Sequence, residues 1–252
     1  MAQSPHRYRL APPGGITIGP PGPVPPMVKA LIVANVVVYV LSILFGHYAV
    51  TSTFAVVPSR VLHLEPLGIL GLFTYQFLHG GVWHLAINML LLWMFGSELE
   101  ERWGSRFFLK YYFVCGVGGG LAYALLSFGQ NAPSVGASGA IYGLLMAYAI
   151  WFPNRVVLLA FLFPIRVRHV IVFLIVIQTL QAIEATGTGI AYTAHLGGMA
   201  FGYFYLRWWG NRGRGVADVL GITDLKRAYY RWRLKRLQRK RWGTNDGPPT
   251  YH

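Results

Sequence analysis

A glycine-flanked serine, Ser138 in GASGAIYG, and a histidine followed by two glycines, His195 in AHLGGMAFG, are the residues of this chain best suited to covalent chemistry. A serine hydroxyl is a weak nucleophile until a base within hydrogen-bond reach takes its proton, and histidine is the usual base. Together they would attack a carbonyl carbon. A third run, HGGVWHLAIN, holds His79, His84 and Asn88. On a helix His84 and Asn88, four residues apart, face the same way and offer donors to a developing negative charge. His79 reads as a supporting hydrogen bond. Gly136 and Gly139 let a substrate backbone approach Ser138, and Tyr142, one turn further on, can stack on the imidazole. Neither helix supplies an Asp or Glu to orient the histidine, so the pattern is a pair rather than a triad, and packing alone must hold the base. No HExxH run is present, and the chemistry calls for neither metal nor cofactor.

These groups lie in apolar surroundings. Of 252 residues, 54% are hydrophobic and 12% charged, which excludes an ordinary water-soluble domain. Charge-free windows cover residues 30–59, 66–97, 111–154, 169–183 and 185–206. A span needs about 20 apolar residues, so the third window must hold two, divided at the turn-forming cluster Gly129, Gln130, Asn131, Ala132, Pro133 and Ser134. The reading is an all-α, polytopic bundle of six transmembrane helices. The apolar stretch 156–165 is too short to cross and is expected on the inner face.

Lysine and arginine favour cytoplasmic loops. With six spans, all but Arg60 of the 22 basic residues fall on one side. Both termini are therefore expected in the cytoplasm, in a multi-pass protein of the cell (inner) membrane. Residues 1–26, rich in Pro and Gly, read as a mobile cytoplasmic segment, 27–210 as the six-span core and 211–252 as a basic cytoplasmic tail. The run from Ala30 reads as a retained first span, not a cleaved signal. Cys115, the single cysteine, reads as packing.

Spans two, four and six then run from outside to inside, and His79, His84, Ser138 and His195 all fall near their outer ends. At 1.5 Å per residue the four groups share a depth of roughly 5 to 12 Å below those ends. Ser138 opens a helix, where backbone N–H groups lack intrahelical partners and the dipole favours negative charge. Gly139 and Gly143 on one helix, and Gly198 and Gly202 on the other, have the spacing that lets membrane helices touch.

The three runs, in this order across six spans, resemble the rhomboid family of intramembrane serine proteases, in the plain six-span form typical of prokaryotes. The resemblance covers about residues 27–210. It implies Ser138 as nucleophile and His195 as base, Tyr142 as the ring packed on that histidine, and His84, Asn88 and the Ser138 N–H as the oxyanion site, with Gly136 in the loop before it. Glu100 and Gly104 match a family pattern at the turn between spans two and three. The family implies single-span membrane proteins as substrates, cut near the outer end of a helix that unwinds easily. The fifth span and the loop 184–189 would cover the site, and a gate there must move.

Other readings fit less well. An α/β-hydrolase elbow needs GxSxG, and Ala140 stands at its last position. A non-catalytic relative that binds membrane segments usually lacks one of the reactive pair. An ion pathway through the three histidines would be expected to show an inverted repeat, and none is apparent. The basic segment 226–242, beginning at Lys226 and carrying Tyr229, Tyr230, Trp232 and Trp242, reads as lying on anionic lipid rather than on nucleic acid.

Overall fold

A computed structural model describes residues 22–127, 131–159, 163–184, 192–210 and 222–242. The proposed mobile segment therefore lies outside the described residues up to position 21. So do Gly129 and Gln130 of the turn cluster, positions 185–189 of the covering loop, and the tail at 211–221 and 243–252.

The architecture is a helical membrane bundle. Helix α1 (Pro26–Leu44) starts with proline in its first turn, where the missing N–H costs nothing. Three short helices follow: α2 (His47–Phe54), α3 (Pro58–Leu62) and α4 (Pro66–Thr74). A second long rod is built from α5 (Val82–Leu91), a π-helical turn (Leu92–Gly96) and α6 (Ser97–Trp103). Then come α7 (Ser105–Leu126), α8 (Ser138–Trp151), a hairpin of β1 (Val156–Leu159) and β2 (Phe163–Arg166), α9 (Val167–Glu184), α10 (Tyr192–Gly210) and α11 (Ile222–Trp242).

One expectation is corrected. The window 66–97 is not one span: α4 ends at Thr74, a 3₁₀ turn occupies Tyr75–Phe77, and the long rod begins only at Val82. Gly80 and Gly81 separate them, so His79 precedes the rod instead of lying in it. The apolar stretch after α8, too short to cross, pairs as antiparallel strands, Val156 opposite Arg166 and Leu159 opposite Phe163, a small hairpin beside the helices. Among the described residues, three stretches are long and apolar enough to cross a bilayer: Pro26–Leu44, Val82–Trp103 and Ser105–Leu126. Ser138–Trp151 and Val167–Ile183 are apolar but shorter.

Hydrogen bonds fix which ends lie together. The Glu100 carboxylate, at the end of α6, accepts the Met27 and Val28 N–H groups at 2.9 and 2.8 Å and the Ser105 hydroxyl at 2.6 Å. One buried carboxylate thereby accepts two of the free N–H donors of α1 and, through the Ser105 hydroxyl, also lies at the positive dipole end of α7. Arg155, after α8, pairs with Glu98 at 2.5 Å, and the Val167 N–H donates to the Arg155 carbonyl at 2.8 Å. One end of the bundle thus carries Arg155 together with the starts of α1, α7 and α9. At the other end the segment between α2 and α3 pairs with the loop before α8, Val56 bridging Ser134, and the Gly136 N–H donates to the Tyr75 carbonyl at 2.9 Å. Arg60, in α3, lies in this second region.

The centre is the trio α7, α8 and α10, packed backbone to backbone. A Cβ placed on Gly198 would strike the Gly139 carbonyl, and one on Gly143 would strike Cys115. Cys115 is fully buried and fills that space.

Candidate active site

The loop 131–137 is pinned before the chain enters α8. It bonds to Val56 and Tyr75, as above, and Tyr123 donates its hydroxyl to the Ala132 carbonyl at 2.8 Å. Gly136 has φ 130°, a backbone region that residues with a Cβ rarely occupy. A Cβ there would also lie 2.9 Å from both Cε1 and Nε2 of His84. Glycine therefore lets the loop turn and lets the imidazole lie against its backbone.

Ser138 is the first residue of α8. The Ile141 N–H is bonded to the Ala137 carbonyl at 3.0 Å, so the amides of Ser138, Gly139 and Ala140 come before the helical ladder and point out of its N-terminal end. His195 lies one turn into α10, and the Gly139–Gly198 contact brings the two helices together beside it. The Ser138 hydroxyl and His195 Nε2 are 2.7 Å apart. Tyr142 stacks on the His195 ring, centroids 4.2 Å apart and planes 4° from parallel.

A residue overlooked in the sequence completes this arrangement. Gln178, on α9, places its carbonyl Oε1 2.9 Å from His195 Nδ1 and donates its amide to the Tyr142 hydroxyl at 2.9 Å. The imidazole is therefore held by a hydrogen bond as well as by packing, which corrects the expectation that packing alone orients it. The signal was available. Gln178 falls on the helical stripe of Ile171 and Ile175 within an apolar window, and a buried amide there needs a partner.

The remaining candidates lie at graded distances from the serine. His84 faces it across Gly136. The Gly80 N–H points at His84 Nδ1 over 3.4 Å, an arrangement that leaves Nε2 to carry the ring proton. Asn88 is buried and donates one amide hydrogen to the His84 carbonyl at 2.9 Å. His79 is buried behind His84, ring edge to ring face with centroids 5.1 Å apart. It does not share the Ser138–His195 contact.

The chain's similarities to known proteins agree with these motifs. Residues 67–211 match the family described as the Rhomboid domain. "Rhomboid protein 1, mitochondrial" of Saccharomyces cerevisiae is 36% identical over 134 residues, 51% of this chain and 38% of that protein. "Rhomboid protease GluP" of Bacillus subtilis is 35% identical over 134 residues, 53% of this chain and 24% of its own length. "RHOMBOID-like protein 12, mitochondrial" of Arabidopsis thaliana is 28% identical over 194 residues, 69% of this chain and 55% of that protein. The chain thus spans between about a quarter and about half of the length of these relatives.

Proposed function

The chain belongs to the rhomboid family, and from that premise we propose that it is an intramembrane serine endopeptidase that cuts other membrane proteins with Ser138 and His195. The observation that carries the proposal is the 2.7 Å contact between the Ser138 hydroxyl and His195 Nε2, a distance at which a proton can pass as the oxygen attacks. Family membership and the likeness to a protein named as a protease support the intramembrane protease role.

In the first half-reaction Ser138 Oγ adds to the scissile carbonyl carbon while its proton moves to His195 Nε2. The carbonyl oxygen becomes an oxyanion, met by the Ser138 N–H, the His84 Nε2–H and the second amide hydrogen of Asn88. Each such donor contributes about 2.7 to 4 kcal/mol to a transition state of this kind. The intermediate collapses, His195 returns the proton to the departing amine, and an acyl-serine remains. Water, deprotonated by His195, then releases the acyl group and restores the serine.

Helix length argues for chemistry below the membrane surface. Helix α8 has 14 residues, about 21 Å at 1.5 Å per residue, against a hydrocarbon core of about 30 Å. In the six-span reading its far end meets the cytoplasmic face, and Ser138 then sits several ångströms inside the outer boundary. Substrates are single-span proteins whose helix unwinds near that depth, because a helical peptide bond is shielded by its own hydrogen bonds. Both termini face the cytoplasm of a cell whose inner membrane holds the protein. Helix α11, with Tyr229, Tyr230 and Trp232 exposed among basic residues, lies on anionic lipid, where each basic side chain contributes about 1 kcal/mol.

The test is reconstitution of wild type, Ser138→Ala and His195→Ala with a single-span substrate bearing a Gly- and Ala-rich outer segment, products being read by mass. Wild type is expected to cleave, chelator to have no effect, and both variants to be inactive. Cleavage that survives Ser138→Ala removes the mechanism. In the same vesicles, trypsin should digest the tail more slowly on anionic than on zwitterionic lipid, and equal rates would remove the lipid contact.

A further inference from the structure

Helix α9 turns one row of side chains to the bundle and the opposite row outward. Val167, Ile171 and Gln178 are buried, whereas Phe173, Val176, Leu180 and Ile183 are exposed. The inner row is apolar except for its amide, which reaches both ring partners of the site: Oε1 lies 2.9 Å from His195 Nδ1, and Nε2 donates to the Tyr142 hydroxyl.

A neutral imidazole carries one proton, and its location decides what the ring can do. With a carbonyl oxygen facing Nδ1, the proton stays on Nδ1, and Nε2 offers its lone pair to the Ser138 hydroxyl. Were the amide reversed, its NH₂ would donate to Nδ1, the ring proton would move to Nε2, and the histidine could only donate toward the serine. As the serine proton transfers, the ring becomes an imidazolium and the Nδ1–H bond to Oε1 becomes charge-assisted, hence stronger. A neutral amide gives this help without burying a second full charge among apolar helices, which is costly.

We propose that Gln178 is a positioning residue that holds His195 in the base-competent tautomer, and that, because α9 carries it, the dyad is ready only when α9 is seated against the bundle. This rests on the serine-histidine reading above. Ser138 and His195 sit on α8 and α10, locked at the Gly139–Gly198 contact. Helix α9 is held at its start by backbone bonds from the Val167 N–H to the Arg155 carbonyl and from the Arg168 N–H to the Pro153 carbonyl, at 2.8 and 3.4 Å. Swinging its far end outward would leave the dyad distance intact and remove the acceptor from Nδ1. Opening past α9 then disarms the base, and reseating of α9 re-arms it.

The test uses the full chain in lipid nanodiscs as wild type, Gln178→Leu and Gln178→Glu, with ring-¹⁵N-labelled histidine and His195→Ala to assign the His195 signals. A glutamate keeps an acceptor for Nδ1–H, and the Tyr142 hydroxyl can turn to donate to its other oxygen. Gln178→Leu is expected to lower kcat roughly 10- to 100-fold, by analogy with the loss when the outer partner of a metal-ligating histidine is removed, with KM little changed. The Nδ1–H signature of His195 should decline in the same variant, and Gln178→Glu should restore both. Wild-type kcat in Gln178→Leu overturns the proposal, as does a lowered kcat with an unchanged His195 tautomer, because the loss would then be one of packing. If Gln178→Leu does not fold, Gln178→Met removes the same bonds at similar length. A wild type that cleaves nothing counts against the protease reading, and the tautomer comparison still decides the role of Gln178.

Discussion

The α7–α8–α10 trio and helix α9 face the same site but are joined to it by different means. Within the trio, glycine meets backbone or the smallest side chains: added Cβ atoms would strike the Gly139 carbonyl from Gly198, approach the Ala194 carbonyl to 2.7 Å from Gly119, and strike the Ala122 methyl from Gly197. Lipid tails are as apolar as leucine, so helices in a bilayer gain little from hiding apolar surface, and close contact of this kind supplies the cohesion. Helix α9 has no such seam at its outward row, and Phe173, Val176, Leu180 and Ile183 are left to the surroundings. Ser138 and His195 are therefore fixed by backbone contact between their helices, and Gln178, the partner of His195 Nδ1, arrives on a helix whose other face is exposed.

The most severe way to break this contrast is Gly198→Leu. The side chain would have to displace the Gly139 backbone itself, so a loss of at least about 3 kcal/mol is expected, read as failure to fold in detergent or a large fall in unfolding temperature. A near-wild-type midpoint would mean that the trio is not close-packed. A finer probe is Gly143→Ala, whose methyl would meet Cβ and Sγ of Cys115. It should cost about 1 to 3 kcal/mol, and Cys115→Gly in the same chain should recover part of that loss, a coupling that a double-mutant cycle measures. Additive effects would place the strain elsewhere. The smallest change is expected for Phe173→Ala on the outward row of α9, within about 0.5 kcal/mol of wild type. A destabilisation like that of Gly143→Ala would show α9 to be packed as tightly as the trio.

What could be read from the sequence follows the same division. Ser138, His195, Tyr142 and His84 stand out as polar groups in apolar windows, and their neighbouring glycines mark the helices that touch. The structure puts these side chains in contact or across Gly136 from one another. Gln178 is harder to read because the usual orienting partner of such a histidine is a carboxylate, although in an apolar site a neutral amide is the less costly acceptor. The break at Tyr75–Phe77 escaped because counting charges cannot detect a change of helix, and the Gly80–Gly81 pair was the available sign. The hairpin escaped for a related reason: Val156–Leu159 and Phe163–Arg166 are uniformly apolar save for Arg166, so no alternation distinguishes strand from interfacial helix.

The most direct measurement is mass spectrometry of the full chain after reaction with a fluorophosphonate, which labels a serine only when a neighbouring base activates it. One adduct is expected, on Ser138, absent in Ser138→Ala and strongly reduced in His195→Ala. Labelling of another serine, or labelling of Ser138 undiminished without His195, would contradict the Ser138–His195 mechanism.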